Sequence, residues 1–86
     1  MKESKVILKN KEGLHARPAA MFVRAANQYE SDITIIRDGE EVNGKSIIGI
    51  MSLGIFSGQE IILRAEGKDE DKAIEGMVEF VENQLN

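Results

Sequence analysis

The 86-residue sequence contains no cysteine and no tryptophan, and it has one proline and one histidine. Without cysteine, the chain can form neither a disulfide nor a zinc site with thiolate ligands. One histidine cannot supply a histidine-cluster zinc site either, because such sites use several imidazole ligands. The sequence therefore predicts no metal site and no cofactor.

Long apolar runs and an excess of basic residues are also missing. No stretch approaches the ~20 apolar residues of a membrane-spanning helix, so no membrane insertion is expected. The 11 Lys and Arg are outnumbered by 15 Asp and Glu, and the resulting net charge of −4 argues against direct nucleic-acid binding. The first residues lead into a strand-like run and not into the apolar region of a signal peptide. The sequence predicts a cytoplasmic protein with a single domain, residues 1–86, since this length is too short for two.

The single histidine and the single proline fall in one segment, residues 13–20. An apolar face at three- and four-residue spacing predicts a helix over residues 16–28. Pro18 then lies in the first turn, where its missing N–H would have no partner anyway. His15 is therefore predicted to lie at or next to the N-cap.

This position gives His15 a chemical environment of its own. The first amides of a helix have no partner within it, and with the helix dipole they favour an anion at that end. The same field favours the neutral imidazole, which is a nucleophile. A phosphoryl group on the ring would lie over the amides of Ala16 and Arg17, and the Arg17 guanidinium could also bind it. The alternative, from these residues alone, is a plain helix cap beside a solvated arginine, because short motifs recur by chance.

The whole chain predicts four strands and three helices in the order β-α-β-β-α-β-α. Strands are predicted at 5–9, 33–37, 40–43 and 60–65. Helices are predicted at 16–28 and 47–53, and a last helix opens at 69–71. Asp38 and Gly39 predict a two-residue hairpin turn. The fold class is therefore α+β, with a four-stranded, mainly antiparallel sheet and three helices on one of its faces. The other face, carrying Ile7 and Ile62, is expected to be partly wet.

The last helix is predicted to bury one apolar stripe. Its members are Ile74, Met77, Val78, Val81 and Leu85, with Phe80 and Met77 at the edge of the core. The glutamates on the opposite side are interpreted as a solvated face, which is the commoner meaning of such charges.

Residues 47–53 are predicted to form a short helix with Ser46 as its N-cap and Gly54 as its C-cap. In such a helix Ile47, Ile50 and Leu53 would point into the core. Ile48 and Met51 would then lie together on the surface, as a docking patch for another protein. The alternative is a helix buried on all sides by loops.

Two motifs in the chain are specific when taken together. They are Gly13-Leu14-His15-Ala16-Arg17-Pro18-Ala19 and Lys45-Ser46-Ile47-Ile48-Gly49-Ile50-Met51-Ser52-Leu53-Gly54. With this separation they resemble HPr, the histidine-containing phosphocarrier of the bacterial sugar phosphotransferase system, and the resemblance covers essentially the whole chain. It implies one HPr domain with the open-faced β-sandwich fold, and it favours the phosphoryl-acceptor interpretation of His15.

The resemblance implies a phosphoryl carrier and not an enzyme, because other proteins phosphorylate and dephosphorylate it. His15 would accept a phosphoryl group at Nδ1 from enzyme I, which is charged by phosphoenolpyruvate, and pass it to enzyme IIA domains. Arg17 would neutralise and orient the group. The apolar rim that docks on these partners would comprise Ala20, Ile47, Ile48 and Met51.

Ser46 has a second implied role. The run that follows it resembles Gram-positive HPr, in which HPr kinase/phosphorylase phosphorylates this serine and the product acts as corepressor for a catabolite control protein. A phosphate at a helix N-cap is stabilised by free amides. Its charge, close to His15, would oppose association with an acidic enzyme I surface. A plain N-cap is the simpler interpretation, and both can hold at once.

One residue departs from the family pattern, and three alternative functions stay open. Glu12 stands where several relatives carry Ser or Asn, and a carboxylate there would repel a phosphate on His15.

A purely regulatory module acting through Ser46 is one alternative, although the regulatory paralogue Crh lacks the histidine that this chain has. A small domain with two merely capped helices and a nitrogen-regulatory phosphocarrier are the others, the latter disfavoured by the sequence around Ser46.

Overall fold

Strands and helices follow one another along the chain in the predicted β-α-β-β-α-β-α order. A computed structural model describes residues 1–85. The strands are β1 (Lys2–Ile7), β2 (Asp32–Arg37), β3 (Glu40–Asn43) and β4 (Glu60–Glu66). The helices are α1 (Ala16–Ala26), α2 (Ile47–Leu53) and α3 (Glu70–Glu79), and α3 continues into a π-helical turn, Phe80–Gln84.

The four strands form one sheet in the order β1-β4-β2-β3, and each neighbouring pair is antiparallel. The central strands pair with Ile35 opposite Leu63. Strands β1 and β3 are the two edges. Asp38 and Gly39, which join β2 to β3, both have positive φ (52° and 84°), as a tight hairpin turn requires. The predicted antiparallel sheet and its hairpin are confirmed.

The core lies between the sheet and the helices. Alternate residues of the strands point towards the helices and are buried, namely Val6, Ile33, Ile35, Ile61, Leu63 and Ala65. Phe22 of α1 meets Phe80 edge to face, with ring centroids 6.2 Å apart, a favourable aromatic geometry. On the opposite face of the sheet Ile7 is 46% exposed and Ile62 is half-buried, as expected.

The predicted bounds of the first strand, residues 5–9, are wrong at both ends. β1 pairs with β4 from Lys2 opposite Ala65 to Ile7 opposite Glu60. The first half of β1 is polar and largely exposed, as is common in an edge strand, so the apolar pattern alone starts too late. Backbone pairing, and not the hydrophobic pattern, sets where this strand begins.

The predicted helix 16–28 is two residues too long. The amides of Gln28 and Tyr29 bond back only three residues, to the carbonyls of Ala25 and Ala26. Such tighter bonds use carbonyls that the end of a helix leaves unpaired. The regular helix therefore ends at Ala26.

The buried stripe of the last helix is narrower than predicted. Met77, Val81 and Leu85 are buried, and so is Phe80, but Ile74 and Val78 are only half-buried. Ala73, which was not predicted, takes the inner position one turn before Met77. Ile74 and Val78 directly follow the buried Ala73 and Met77. Because successive residues of a helix are about 100° apart, these two side chains point away from the centre of the core and lie at its margin.

The Asp69 carboxylate, just before α3, fastens this helix to the loop that precedes β2. It accepts hydrogen bonds from the Ser31 hydroxyl and from the amides of Glu30 and Ser31, each of the latter at 2.9 Å. These bonds, the one from the Ser31 hydroxyl first, lower the pKa of Asp69 from its ordinary value of 3.8 to about 2. The ionised carboxylate therefore stabilises the folded state.

We expect Asp69→Asn to lower the melting temperature near neutral pH and to have less effect in acid. The native pKa is below that of the unfolded chain, so the stabilisation is complete above about pH 4 and is lost as the pH falls towards about 2. Thermal unfolding of both proteins across this range measures the difference. A gap in melting temperature that stays constant from neutral pH to pH 2 would contradict the assignment.

Candidate functional site

His15 lies at the N-cap of α1 with its side chain free. Its backbone is extended (φ −78°, ψ −170°), and its carbonyl accepts the first bond of the helix, from the Ala19 amide at 2.8 Å. The imidazole is exposed and makes no capping hydrogen bond. The predicted N-cap position is confirmed, and the ring is available to another molecule.

Two unpaired amides stand directly after His15. Within residues 1–85, neither the Ala16 amide nor the Arg17 amide donates a hydrogen bond, and both residues are exposed. Pro18 has no N–H, and the Ala19 amide is already bonded. The end of α1 therefore offers two backbone donors to an anion beside the imidazole.

Arg17 and Glu12 line one shallow cleft of about 330 Å³ next to the helix end. Lys11 and Leu85 also line it. Both charged side chains are exposed, and within residues 1–85 Arg17 forms no ion pair. The Arg17 guanidinium thus has no ion-pair partner among these residues, and Glu12 brings a negative charge to the same cleft.

The loop before His15 is fixed to the loop that follows α2. The Leu14 amide donates to the Ile55 carbonyl at 3.0 Å, and Gly13 lies so close to Ile55 that a Cβ would overlap this carbonyl oxygen. Gly13 also has φ +65°, a conformation that other residues rarely adopt. The buried Asn10 side chain donates to the Gly13 carbonyl at 2.7 Å. The backbone that presents His15 is therefore held from two sides.

Ser46 is the N-cap of α2, as predicted. Its hydroxyl accepts a hydrogen bond from the Gly49 amide at 3.1 Å, and its carbonyl accepts from the Ile50 amide at 3.0 Å. Gly54 ends the helix in the left-handed conformation. Ser46 as a residue is half-buried.

The outer side of α2 is apolar and exposed. Ile48 is 82% exposed and Met51 is 41% exposed, so the alternative of a helix buried on all sides is wrong. Ile47 was expected in the core with Ile50 and Leu53, but it is 41% exposed. With about 100° per residue, the buried arc is centred between Ile50 and Leu53, and Ile47 lies at its margin.

The remaining predicted rim residue and one unpredicted residue extend this surface. Ala20 is exposed on α1, which packs against α2. Phe56, which no sequence motif indicates, is 68% exposed, and its Cα lies next to Gly13. The Phe56 amide donates to Gln59 Oε1 at 2.8 Å, which fixes the turn that carries the ring. A single aromatic residue in a turn between Gly54 and Gly58 is the signal that could have drawn attention to it.

No group of three or more potential metal-binding side chains comes together within residues 1–85. No helix in this part of the chain is long and apolar enough to span a membrane.

Comparison with known proteins places this geometry in a family. Residues 2–83 match the family model described as "PTS HPr component phosphorylation site". The chain belongs to the HPr family. Among similar proteins, the HPr-like protein Crh of Halalkalibacterium halodurans is 51% identical, over 98% of this chain and 100% of that protein. The phosphocarrier protein HPr of Borreliella burgdorferi is 41% identical, over 96% of each.

A solved HPr structure shows the same fold. HPr from Thermoanaerobacter tengcongensis superposes with a TM-score of 0.94 at 49% identity, covering 99% of this chain and 96% of that one. The predicted open-faced sheet with three helices is therefore confirmed, as is the resemblance to HPr. At the level of the family, the chain is a phosphocarrier of the phosphotransferase system.

Proposed function

We propose that this HPr-family chain, acting as one domain, accepts a phosphoryl group from enzyme I on His15 and passes it to enzyme IIA domains. The observation that carries the proposal is the exposed imidazole at the N-cap of α1, next to the amides of Ala16 and Arg17. Within residues 1–85, neither the imidazole nor these two amides have a hydrogen-bond partner. In this role the chain is a carrier and not an enzyme, because each transfer is completed by a partner.

The chemistry of transfer uses the groups at this helix end. The Nδ1 lone pair of neutral His15 attacks the phosphorus of phosphorylated enzyme I. A P–N bond forms at His15 as the bond to enzyme I breaks, and the bonding electrons leave with enzyme I. The Ala16 and Arg17 amides donate hydrogen bonds to the transferred group, and the Arg17 guanidinium offsets its charge. Because the site is exposed, an enzyme IIA domain can reach the phosphorus by the reverse reaction.

We propose that the apolar rim around His15 is the docking surface for both partners. The rim comprises Ala20, Ile47, Ile48 and Met51, and Phe56 adds to it. Four members of the rim are large apolar residues that are exposed, namely Ile47, Ile48, Met51 and Phe56. A cluster of exposed apolar side chains is typical of a surface that binds another protein. The partners then cover apolar surface that the isolated chain leaves in water.

Changing Ile48 to Glu is expected to raise the KM of enzyme I for this chain about tenfold or more. A tenfold change corresponds to about 1.4 kcal/mol of binding free energy. The fold should be unaffected, because Ile48 is 82% exposed and such substitutions change the free energy of unfolding by about 0.5 kcal/mol or less. Ile7→Glu is the matched control, since Ile7 is exposed on the opposite face of the sheet. Equal KM values for the two variants would contradict the proposed docking surface.

We further propose that Ser46 is a regulatory site for HPr kinase/phosphorylase, and that the phosphorylated chain acts with a catabolite control protein. Support comes from the position of Ser46, a half-buried residue at the start of α2, beside the exposed Ile47 and Ile48. The identity to a relative named Crh also favours a regulatory role. A phosphate there adds negative charge to the docking rim and would weaken association with an acidic partner surface.

The proposed carrier function is tested by intact-mass measurement after incubation with enzyme I and phosphoenolpyruvate. One added phosphate is expected, and mild acid should remove it because a phosphoramidate is acid-labile. Adding an enzyme IIA domain should move the phosphate to that protein. No uptake from an enzyme I preparation that charges another HPr would contradict the carrier function.

A further inference from the structure

An open groove of about 450 Å³ runs between the start of β1 and α3. Its floor contains Ile74 and Val78, which lie one helical turn apart and are only half-buried. Lys2 and Ser4 form part of the opposite wall. None of the residues proposed above for phosphoryl transfer lines this groove.

The wall formed by β1 is also a free edge of the sheet. β1 is an outer strand, with β4 as its one neighbour in the sheet. Leu8 lies just after β1. Its amide donates to the Gln59 carbonyl and its carbonyl accepts from the Gly58 amide, so its backbone groups point inwards, away from the free edge. Backbone groups of successive residues alternate in direction, so those of Glu3, Lys5 and Ile7 point outwards. The edge can therefore pair with a further extended segment.

The rim of the groove is acidic. Glu75, Glu79 and Glu82 line it, and within residues 1–85 none of them is paired with Lys or Arg. The nearby basic group on the wall, Lys2, is engaged by Asp71 at 3.4 Å. The Lys5 side chain lines the opposite face of the sheet. Charge complementarity thus favours a basic occupant.

A second copy of the chain fits this edge less well. Pairing two β1 strands would bring two acidic rims, each with Glu75 and Glu82, to the same interface. Like charges placed opposite one another across an interface oppose association. A basic segment of a different protein meets no such repulsion.

We propose that this groove binds an extended, basic segment of a partner protein, which adds to β1 as a fifth strand. Alternate side chains of the added strand would face α3, because successive side chains of a strand point to opposite faces. Of these α3-facing side chains, apolar ones would pack on Ile74 and Val78, and Lys or Arg would pair with Glu75 and Glu82. The groove lies at the start of β1, whereas His15 follows the other end of that strand. A bound segment therefore leaves the phosphoryl site accessible, and this binding does not depend on the proposed carrier function.

The probe is a short blocked peptide in which every second residue, on the face towards α3, is Val or Lys, and the residues between are Thr. It is compared with the same peptide in which Glu replaces Lys. Titration into the ¹⁵N-labelled chain is followed by amide chemical shifts. The basic peptide should shift amides of β1 and α3 and bind at least about tenfold more tightly than the acidic one. Equal affinities, shifts centred on α1 and α2, or no binding would overturn the proposal.

Three variants separate the features of the groove. The double variant Glu75→Lys with Glu82→Lys should bind the basic peptide about tenfold or more weakly than the wild type does. The control is the double variant Asp32→Lys with Glu60→Lys, which changes the net charge by the same amount at two exposed residues outside the groove. It should bind the basic peptide as tightly as the wild type does. Lys5→Pro removes an outward-pointing amide and should abolish binding. A double charge reversal that binds as the wild type does would overturn the proposal, whether or not the proline variant folds.

Sedimentation of the chain without peptide tests for self-association. The chain should stay monomeric at the concentrations of the titration. A dimer that is lost in Lys5→Pro and strengthened in the double charge reversal would show that a second copy occupies the edge, and would overturn the proposal.

Discussion

Replacing His15 with Ala is expected to abolish the acid-labile phosphate that enzyme I and phosphoenolpyruvate add to the chain. No second histidine can take over as acceptor, because the sequence has only one. The fold should be retained, since the side chain is exposed and makes no capping hydrogen bond. The change in the free energy of unfolding should be about 0.5 kcal/mol or less. Intact mass before and after mild acid measures the phosphate, and thermal unfolding measures the stability.

Phosphorylation of Ser46 supplies the control for this variant. HPr kinase with ATP should still add an acid-stable phosphate to His15→Ala, because Ser46 belongs to a different helix with its own hydrogen bonds. This result would show that the variant is folded and still docks with a partner. An acid-labile phosphate on His15→Ala would contradict the assignment of the acceptor.

Gly13→Ala is expected to destabilise the chain by about 3 kcal/mol. About 1–2 kcal/mol comes from the left-handed backbone at φ +65°, and a similar amount from the overlap of the new Cβ with the Ile55 carbonyl oxygen. For a domain of this size, such a loss lowers the melting temperature by on the order of 15 °C. Relief of the overlap would move the loop that carries His15, so transfer from enzyme I should also slow by about tenfold or more.

Gly54→Ala is the matched control for this effect. Gly54 has nearly the same backbone angle, φ +61°, but a Cβ there would meet no atom of residues 1–85 within 4 Å. Gly54→Ala should therefore lower the free energy of unfolding by the backbone contribution alone, about 1–2 kcal/mol. The rate of phosphoryl transfer should stay close to that of the wild type. Thermal unfolding and a transfer assay, run below both melting temperatures, measure the two quantities. Equal losses for Gly13→Ala and Gly54→Ala would contradict the proposed contact between the two loops.

Much of the fold could be predicted because local signals and tertiary packing agree. Ser46 and Gly54 mark both ends of α2, and the structure places the N-cap and the C-cap at these residues. The start of β1 could not be predicted in this way. Its polar residues carry no apolar alternation, and its bounds depend on pairing with β4, which is more than fifty positions away in the sequence.

Part of the candidate site could likewise be predicted from local rules. Pro18 and the helical spacing are sufficient to place His15 at the N-cap, and the unpaired amides follow from the geometry of any helix start. The contact between Gly13 and Ile55 could not be predicted, because it joins two loops that are distant in sequence. The exposure of Ile47 and Phe56 depends in the same way on how α2 and its following turn sit on the core.

The central claim is that the imidazole of His15 carries the phosphoryl group, and ¹⁵N NMR of the labelled chain tests it most directly. Charging with enzyme I and phosphoenolpyruvate inside the NMR tube should give one new imidazole species, with phosphorus bonded to Nδ1 and with shifts at the Ala16 and Arg17 amides. An unchanged imidazole in a chain whose mass shows one added phosphate would contradict the account.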